Sequence, residues 1–349
     1  MGSGEGRPAP PSRFATGGRG APPERWGVIA PWVRRAALRY ARPVVRVCFG
    51  GRAEGLERLP RGRPFLLVAN HSAVLGVAEI AALLVAWVEH LEGGADAPRL
   101  VAFAHPLGIR LAPAAWVLDG VGAVESTAEA AEAVLRAGHG LLVFPGGDHE
   151  SMRPWAHAGR VDFGGRVGFL RLARRLGVPI VPLGIRGSHH TAPVLWRSTR
   201  VWPTLLGLPR WVGLRRYPLT LLGLIGAAAL AGAAWTGWGP FGALDAWARQ
   251  ALDGPMGGSA GGSMVGAWAR ALGAVALGWV WLATPLSFLP WVPARLRACV
   301  GPVLEPEDLF SGGGSEAEVL DAALARVERA VADAAGLRAA RDVTPGPGR

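Results

Sequence analysis

Leu66 to Glu79 reads LLVANHSAVLGVAE: an apolar run with no period of two, ended by Asn70 and followed by a turn that carries His71. Gly140 to Trp155, GLLVFPGGDHESMRPW, repeats the arrangement with a glycine turn. Apolar runs without alternation are what strands look like when both faces of a sheet are covered. Two more runs, Arg99 to Phe103 and Pro179 to Leu183, have the same texture. Helical patterns at Ala78 to Leu91, Ser126 to Ala137 and Val167 to Leu176 alternate with them. That alternation predicts an α/β domain with a mostly parallel central sheet flanked by helices. Arg297 to Val303 reads as a late strand of the same sheet, and Ser315 to Leu337 as a closing amphipathic helix.

Working outward, residues 1–24 are rich in Gly, Pro, Ser and Arg without an apolar run, as in a disordered tail rather than a secretory signal. Residues 341–349 form a second tail of this kind. Residues 25–50 place Trp26, Ile29, Trp32, Val33, Ala37 and Tyr40 at helical spacing, with Arg34, Arg35, Arg39, Arg42 and Arg46 between them. This is the pattern of a basic amphipathic helix at a membrane surface, and equally of a helix docked on the domain with a solvated basic face.

Residues 51–216 and 293–340 make up the α/β domain, and residues 217–292 interrupt it. Tyr217 to Thr236 and Ala271 to Val292 are uncharged, each of the roughly 20 residues that a bilayer crossing takes. Arg210, Arg215 and Arg216 precede the first, and Arg295 and Arg297 follow the second, so both flanks point to the cytoplasmic side. Trp235, Trp238, Trp268, Trp279, Trp281 and Trp291 cluster near these segments as interfacial aromatics do. An inserted hydrophobic hairpin is expected. The Gly and Ala content is also compatible with a pair of buried core helices.

Composition narrows the chemistry. The formal charge of +11 rests on arginine alone, because the 349 residues contain no lysine. A P-loop lysine and a Schiff-base lysine are therefore both excluded. The mean hydropathy of +0.25 and 15 tryptophans favour an anionic membrane surface over nucleic acid, since the arginines lie beside apolar and Trp-rich stretches. Cys48 and Cys299 have neither disulfide-framework nor zinc spacing, so no metal is expected.

His71 stands at a strand end, where α/β sites gather. A neutral imidazole there can take the proton of an attacking hydroxyl, its ordinary pKa lying near working pH. In the second motif, Pro145, Gly146 and Gly147 permit tight backbone approach, and the N–H groups of the two glycines are candidates for an oxyanion or phosphate. Asp148, His149 and Glu150 follow and are expected to project from that turn. Ser259 sits in a G-x-S-x-G match, but within the linker-like GPMGGSAGGS, without the preceding strand that a nucleophile elbow requires.

Together these stretches resemble the lysophospholipid and glycerol acyltransferase superfamily, especially its monoacylglycerol and diacylglycerol acyltransferase-like branch. The matching segments are NHS at Asn70 to Ser72, GAVESTAEAAEAVLRAGHGLLVFPGGDHE at Gly122 to Glu150, RVDFGGRVGFLRLA at Arg160 to Ala173, and GVPIVPL at Gly177 to Leu183. The resemblance implies direct attack of a lipid hydroxyl on an acyl thioester, acyl-CoA or acyl-ACP, with His71 as general base. It implies no metal, no other cofactor and no covalent intermediate. The implied partners are a lipid acceptor, the thioester donor and the bilayer.

Two departures stand out. The family's His-x4-Asp would put a carboxylate at residue 76, where this chain has Gly76, and Glu79 is the nearest substitute. Glu79 is also an ordinary first-turn helix residue favoured by the helix dipole. The phosphatidic-acid-forming relatives carry a block reading like FPEGTR, whose arginine serves the acceptor phosphate; here Gly146, Asp148 and His149 stand in it. Arg153, Arg160 and Arg166 are the candidates for phosphate contact instead. A neutral glycerolipid is as compatible an acceptor as a lysophospholipid, and a catalytically inactive lipid-binding protein of the same fold is the alternative.

Overall fold

The structure, a computed structural model, describes residues 20–339 apart from positions 75, 95, 111, 201–215, 240, 244–245, 247–249 and 251–258. Its sheet contains β1 (Arg52–Glu54), β2 (Phe65–Ala69), β3 (Leu100–Ala104), β4 (Val124–Glu125), β5 (Gly140–Val143), β7 (Ile180–Arg186) and β10 (Arg297–Val300), ordered β1-β10-β7-β2-β5-β3-β4. Neighbours from β7 to β4 pair in parallel, whereas β10 is antiparallel to β7 and β1 runs with β10. Two small ribbons complete the strands: β6 (Arg160–Val161) with β11 (Arg338–Ala339), and β8 (Val194–Ser198) with β9 (Tyr217–Thr220).

The runs lack alternation because both sheet faces are covered. Every residue of β2 is buried. Leu66 and Val68 join one apolar cluster with Leu320, Leu324 and Val327 of the Glu316–Ala335 helix. Phe65, Leu67 and Ala69 join another with Trp87, Val181 and Leu183. The closing helix starts in a capping box between Ser315 and Glu318 and ends at the left-handed Gly336, close to the expected bounds.

The N-terminal expectations need correction. Residues 20–24 are not a free tail: Gly20 bridges Val124, Ala21 is buried, and Pro23–Arg25 forms a 3-10 turn. Trp26 is not on the amphipathic helix but in the core, its indole N–H donating to the Ala21 carbonyl at 2.9 Å. Helical structure begins at Pro31–Ala36, passes through a π-turn at Ala37–Ala41 and ends with Arg42–Cys48. Pro43 has no N–H to donate back to residue 39, which removes a rung of the ladder there. One face, with Val33, Ala37 and Val45, is buried, and Ala37 and Val45 pack on Ala82, Val85 and Val88 of the Val77–Glu92 helix. Trp32, Tyr40, Val44 and Val47 remain exposed beside Arg35, Arg39 and Arg42. The helix is thus docked on the domain while keeping a basic, apolar outer face.

The hydrophobic insertion also differs in its boundaries. Tyr217–Thr220 is strand β9, and the first apolar helix is Leu221–Thr236, capped by the Thr220 hydroxyl, which accepts from the Gly223 N–H at 2.9 Å. The second helix is Ser259–Ala283, earlier than the uncharged stretch suggested, and Pro285–Phe288 is already a 3-10 turn. The Trp281 indole donates to the Gly223 carbonyl at 3.1 Å, which binds the two helices near their base. Leu221–Ala243 and Gly266–Ala283 are long and apolar enough to cross a membrane, yet only 11% and 17% of them is buried. Buried core helices would be covered, so that alternative fails. Arg210, Arg215, Asp245, Arg249 and Asp253 lie outside the described residues, as do residues 1–19 and 340–349.

Candidate active site

Asn70, His71 and the 145–150 turn follow the C-terminal ends of the adjacent parallel strands β2 and β5. The Asn70 side chain is clamped to β7, donating to the Ile185 carbonyl at 2.8 Å and accepting from the Ile185 N–H at 2.6 Å. His71 therefore leaves the sheet from a fixed point. The sequence reading assigned Asn70 no role; its polar side chain at the end of a buried strand was the available signal.

The chain then makes a long turn in which Ala73 (φ 59°), Val74 (φ 58°) and Gly76 (φ 62°) are all left-handed. Such backbone costs of order 1–3 kcal/mol at each non-glycine residue and persists only where the surroundings enforce it. Here Val74 is buried and its N–H donates to the Ser151 carbonyl at 2.9 Å. The turn returns the Val77–Glu92 helix so that Glu79, in its first turn, faces back. The His71 Nδ1–H donates to Glu79 Oε1, which also accepts from the Ser72 N–H at 3.2 Å. Nε2 is left as the imidazole nitrogen available to a substrate.

Gly76 explains the displaced acid. A Cβ at this position would overlap His71 Cε1 and lie 2.9 Å from both His71 Nδ1 and Glu79 Oε1. The imidazole and the Glu79 carboxylate together fill the space a side chain at 76 would need. The 145–150 turn shows a parallel substitution: a Cβ at Gly146 would lie 2.5 Å from Glu150 Oε2. In both motifs a glutamate one helical turn after a glycine takes up part of the space that a side chain on the glycine would need.

Glu150 is buried and does not project. Its Oε2 accepts from the His71 backbone N–H at 2.9 Å, and its Oε1 accepts from the Asp162 N–H at 3.2 Å. Arg153, also buried, approaches Oε1 at 3.5 Å. Asp148 and His149 are likewise engaged. Asp148 Oδ1 accepts from Arg166 at 2.6 Å, and the His149 Nε2 lies 3.0 Å from Asp162 Oδ2. Arg166 also donates to the carbonyls of Pro145 (3.1 Å) and Gly146 (2.6 Å), making it a strap on the turn rather than a free anion ligand. The Gly147 N–H is taken by the Phe144 carbonyl at 3.1 Å, so it is not free for an oxyanion. Arg160 lies on β6 opposite Arg338, and no bond among the described residues joins it to the His71 turn. These corrections share one cause: partners come from distant segments that a local motif does not show.

Electrostatically, burial alone would lower the His71 pKa, but the charge and hydrogen bond of Glu79 and the charge of Glu150 hold it above its ordinary value. Burial pushes the Glu150 carboxyl up to about 7 despite the Arg153 charge and the two backbone N–H donors. The Asp148 carboxyl stays below its ordinary value: burial would raise it, but the bond to Arg166 and the charges of Arg216 and Arg166 prevail.

The membrane-length hairpin is rooted at this same place. Val74, Met152, Val194, Tyr217, Ala283 and Phe288 form one buried cluster joining the His71 turn, the 147–151 helix, the β8–β9 ribbon and the hairpin base. A larger open groove of about 630 Å³, lined in part by Arg46, Arg52, Glu54 and His90, includes no residue of either motif.

A strand-end His–Glu pair beside a glycine turn fits general-base chemistry on a hydroxyl. Residues 52–186 match the model of the Acyltransferase family. The uncharacterized proteins Rv0502 of Mycobacterium tuberculosis and Mb0514 of Mycobacterium bovis are 29% identical over 193 residues, 51% of this chain and 49% of theirs. The chain thus spans about half the length of the curated relatives it matches. The crystal structure of the 1-acyl-sn-glycerophosphate (LPA) acyltransferase PlsC from Thermotoga maritima aligns over 86% of this chain and 80% of that one, at 17% identity and a TM-score of 0.42.

Proposed function

We propose that this protein is a membrane-bound O-acyltransferase of lipid metabolism, moving a fatty acyl group from acyl-CoA or acyl-ACP to a hydroxyl of a lysophospholipid or glycerolipid. The observation that carries the reading is the Glu79 carboxylate on His71 Nδ1, which leaves Nε2 as the ring nitrogen for the acceptor hydroxyl. The acceptor hydroxyl attacks the thioester carbonyl carbon while Nε2 takes its proton. Glu79 stabilises the resulting imidazolium. The tetrahedral oxyanion collapses, the C–S bond breaks, and the imidazolium returns the proton to the leaving thiolate, giving ester and free thiol.

The inactive lipid-binding alternative drew its support from the glycine at 76, and a carboxylate supplied from Glu79 removes that support. Association with the cytoplasmic leaflet is part of the proposal, supported by the uncovered apolar hairpin, the basic outer face of the Pro31–Cys48 segment and the arginines Arg216, Arg295 and Arg297 at the hairpin base. The test is thiol release from acyl-CoA and from acyl-ACP with purified protein and lipid acceptors, neutral and phosphorylated. A general base contributes about 10² to 10⁴ in rate, so His71→Ala should lose nearly all turnover while the protein still folds. Absence of thiol release with every donor and acceptor, while lipid binding persists, would return the protein to the binding class.

A further inference from the structure

The turn from His71 to Glu79 does not hold its own shape. Ala73 and Val74 keep a left-handed backbone (φ 59° and 58°) only because something outside the turn enforces it. Inside the turn, the Gly76 N–H donates to the Ala73 carbonyl at 3.1 Å; from outside, the Ser151 carbonyl takes the Val74 N–H at 2.9 Å. Apolar contacts add a restraint at each end. Val74 is buried in one cluster with Met152, Val194, Tyr217, Ala283 and Phe288. Ala78, the residue before Glu79, is buried in another with Phe49 and Leu296.

Both clusters draw on the flanks of the apolar hairpin. Tyr217 leads into its first helix, Phe288 and Leu296 follow its second, and Phe49 caps the Arg42–Cys48 helix. These flanks are tied to one another. The Tyr217 and Phe288 rings meet edge-on with centroids 5.1 Å apart, the Thr220 hydroxyl donates to the Ser287 carbonyl at 2.7 Å, and the Leu296 N–H donates to the Phe49 carbonyl at 2.7 Å. The outer hairpin is uncovered, but its base is a fixed part of the domain. We infer that Phe288, Tyr217, Leu296 and Phe49 are positioning residues: by gripping Val74 and Ala78, the hairpin base keeps Glu79 against His71 Nδ1. They act through the turn rather than on substrate. When either wall is cut back, Ala73 and Val74 fall toward the right-handed or extended backbone that L-residues prefer, and the first turn of the Val77–Glu92 helix moves with them. His71 then loses the carboxylate that fixes its tautomer and stabilises its imidazolium. The effect on rate rests on the proposed acyl transfer, whereas the grip on the pair does not.

The test uses the full chain in detergent micelles, with one variant in each cluster: Phe288→Leu, which keeps the base apolar, and Leu296→Ala. Leu309→Ala is the control, a buried leucine beyond the opposite end of β7, past the Ile180–Leu304 bridge. Thiol release from acyl-CoA should show kcat lowered roughly 10- to 100-fold in both variants, the cost of a slight misplacement, with the donor KM within about threefold of wild type. Leu309→Ala should keep kcat within about threefold of wild type whatever its melting temperature. In a Glu79→Gln background the same two substitutions should cost less than about threefold more, because the contact they hold is already gone. A merely structural role would give losses that multiply. Nitrogen NMR shifts of the His71 ring, identified by their loss in His71→Ala, read the pair without turnover. They should show the neutral wild-type ring protonated on Nδ1, and Phe288→Leu and Leu296→Ala displaced toward the Nε2–H form, as in Glu79→Gln. Multiplying losses, an equal kcat loss in Leu309→Ala, or an unchanged tautomer in both variants would overturn the positioning role. A tautomer change in a protein that transfers no acyl group would remove the enzyme and keep the grip; transfer with kcat and tautomer unchanged in both variants would do the reverse.

Discussion

Gly76→Ala asks whether position 76 must stay bare for Glu79 to serve His71. Two effects of different size are expected. Gly76 has φ 62°, and an alanine held there is destabilising by roughly 1–2 kcal/mol through contact of Cβ with the backbone. In a chain of this size that lowers the melting temperature by only a few degrees. The second effect falls on the site. The new Cβ would lie 2.9 Å from both His71 Nδ1 and Glu79 Oε1 and would overlap Cε1. The backbone cannot easily retreat, because Gly76 N–H donates to the Ala73 carbonyl at 3.1 Å and Ile80 N–H to the Gly76 carbonyl at 2.8 Å. The imidazole must therefore swing away from Glu79. Loss of a positioned base removes about 10² to 10⁴ in rate, or about 3–5 kcal/mol of transition-state stabilisation. Gly76→Asp, which restores the family's usual acid, meets the same overlap and should also be inactive. Thiol release at saturating donor, with a thermal melt of the same sample, separates the two effects. A Gly76→Ala enzyme with kcat within about threefold of wild type would refute the packing argument and free His71 from Glu79.

Three further outcomes follow from the same geometry. Removing the Glu79 charge leaves burial as the larger influence on His71, so Glu79→Gln should move the acid limb of the pH–rate profile to lower pH and depress the plateau; a profile overlaying wild type would exclude Glu79 as the orienting group. A carboxyl raised from 4.5 to about 7 on folding stabilises fully below its unfolded pKa and loses that contribution as pH rises through 7. His71, also raised, acts with the same sign from its ordinary 6.5 upward. The melting temperature should therefore fall between about pH 5 and about pH 8, with a shallower slope in Glu150→Gln; equal slopes would show that Glu150 is not the titrating group. Replacing 218–291 by a short linker should move the protein to the soluble fraction, whereas retention on membranes would shift the anchoring role to the Pro31–Cys48 segment.

Much of this molecule is local in origin. FLLVA, GLLV and IVPL form strands because they are apolar at every position, and burial on both faces needs no knowledge of what covers them. The apolar hairpin was legible for the same reason, although its ends were not. Thr220 as a cap and Pro285 as a stop shift the helices away from the bounds that charge alone would set. His71 and the glycine turn were also visible, since a polar break after a buried strand marks the open end of a parallel sheet.

What the side chains do there depended on contacts across the fold. Glu79 reaches His71 only because three left-handed residues turn the chain back, and Val74 is held in that state by Ser151, from the other motif. Asp148, His149 and Glu150 look exposed in sequence but face Arg166, Asp162 and the His71 N–H. Arg197 stands far from either motif with nothing in its neighbours to mark it, and Arg216 was legible only as a flank of the hairpin, until the β8–β9 ribbon carries both to the turn. Hydrophobic periodicity is a property of consecutive residues and survives without the fold. A hydrogen bond or ion pair has a range of a few ångströms, so its partner is decided only when tertiary structure has brought the two segments together.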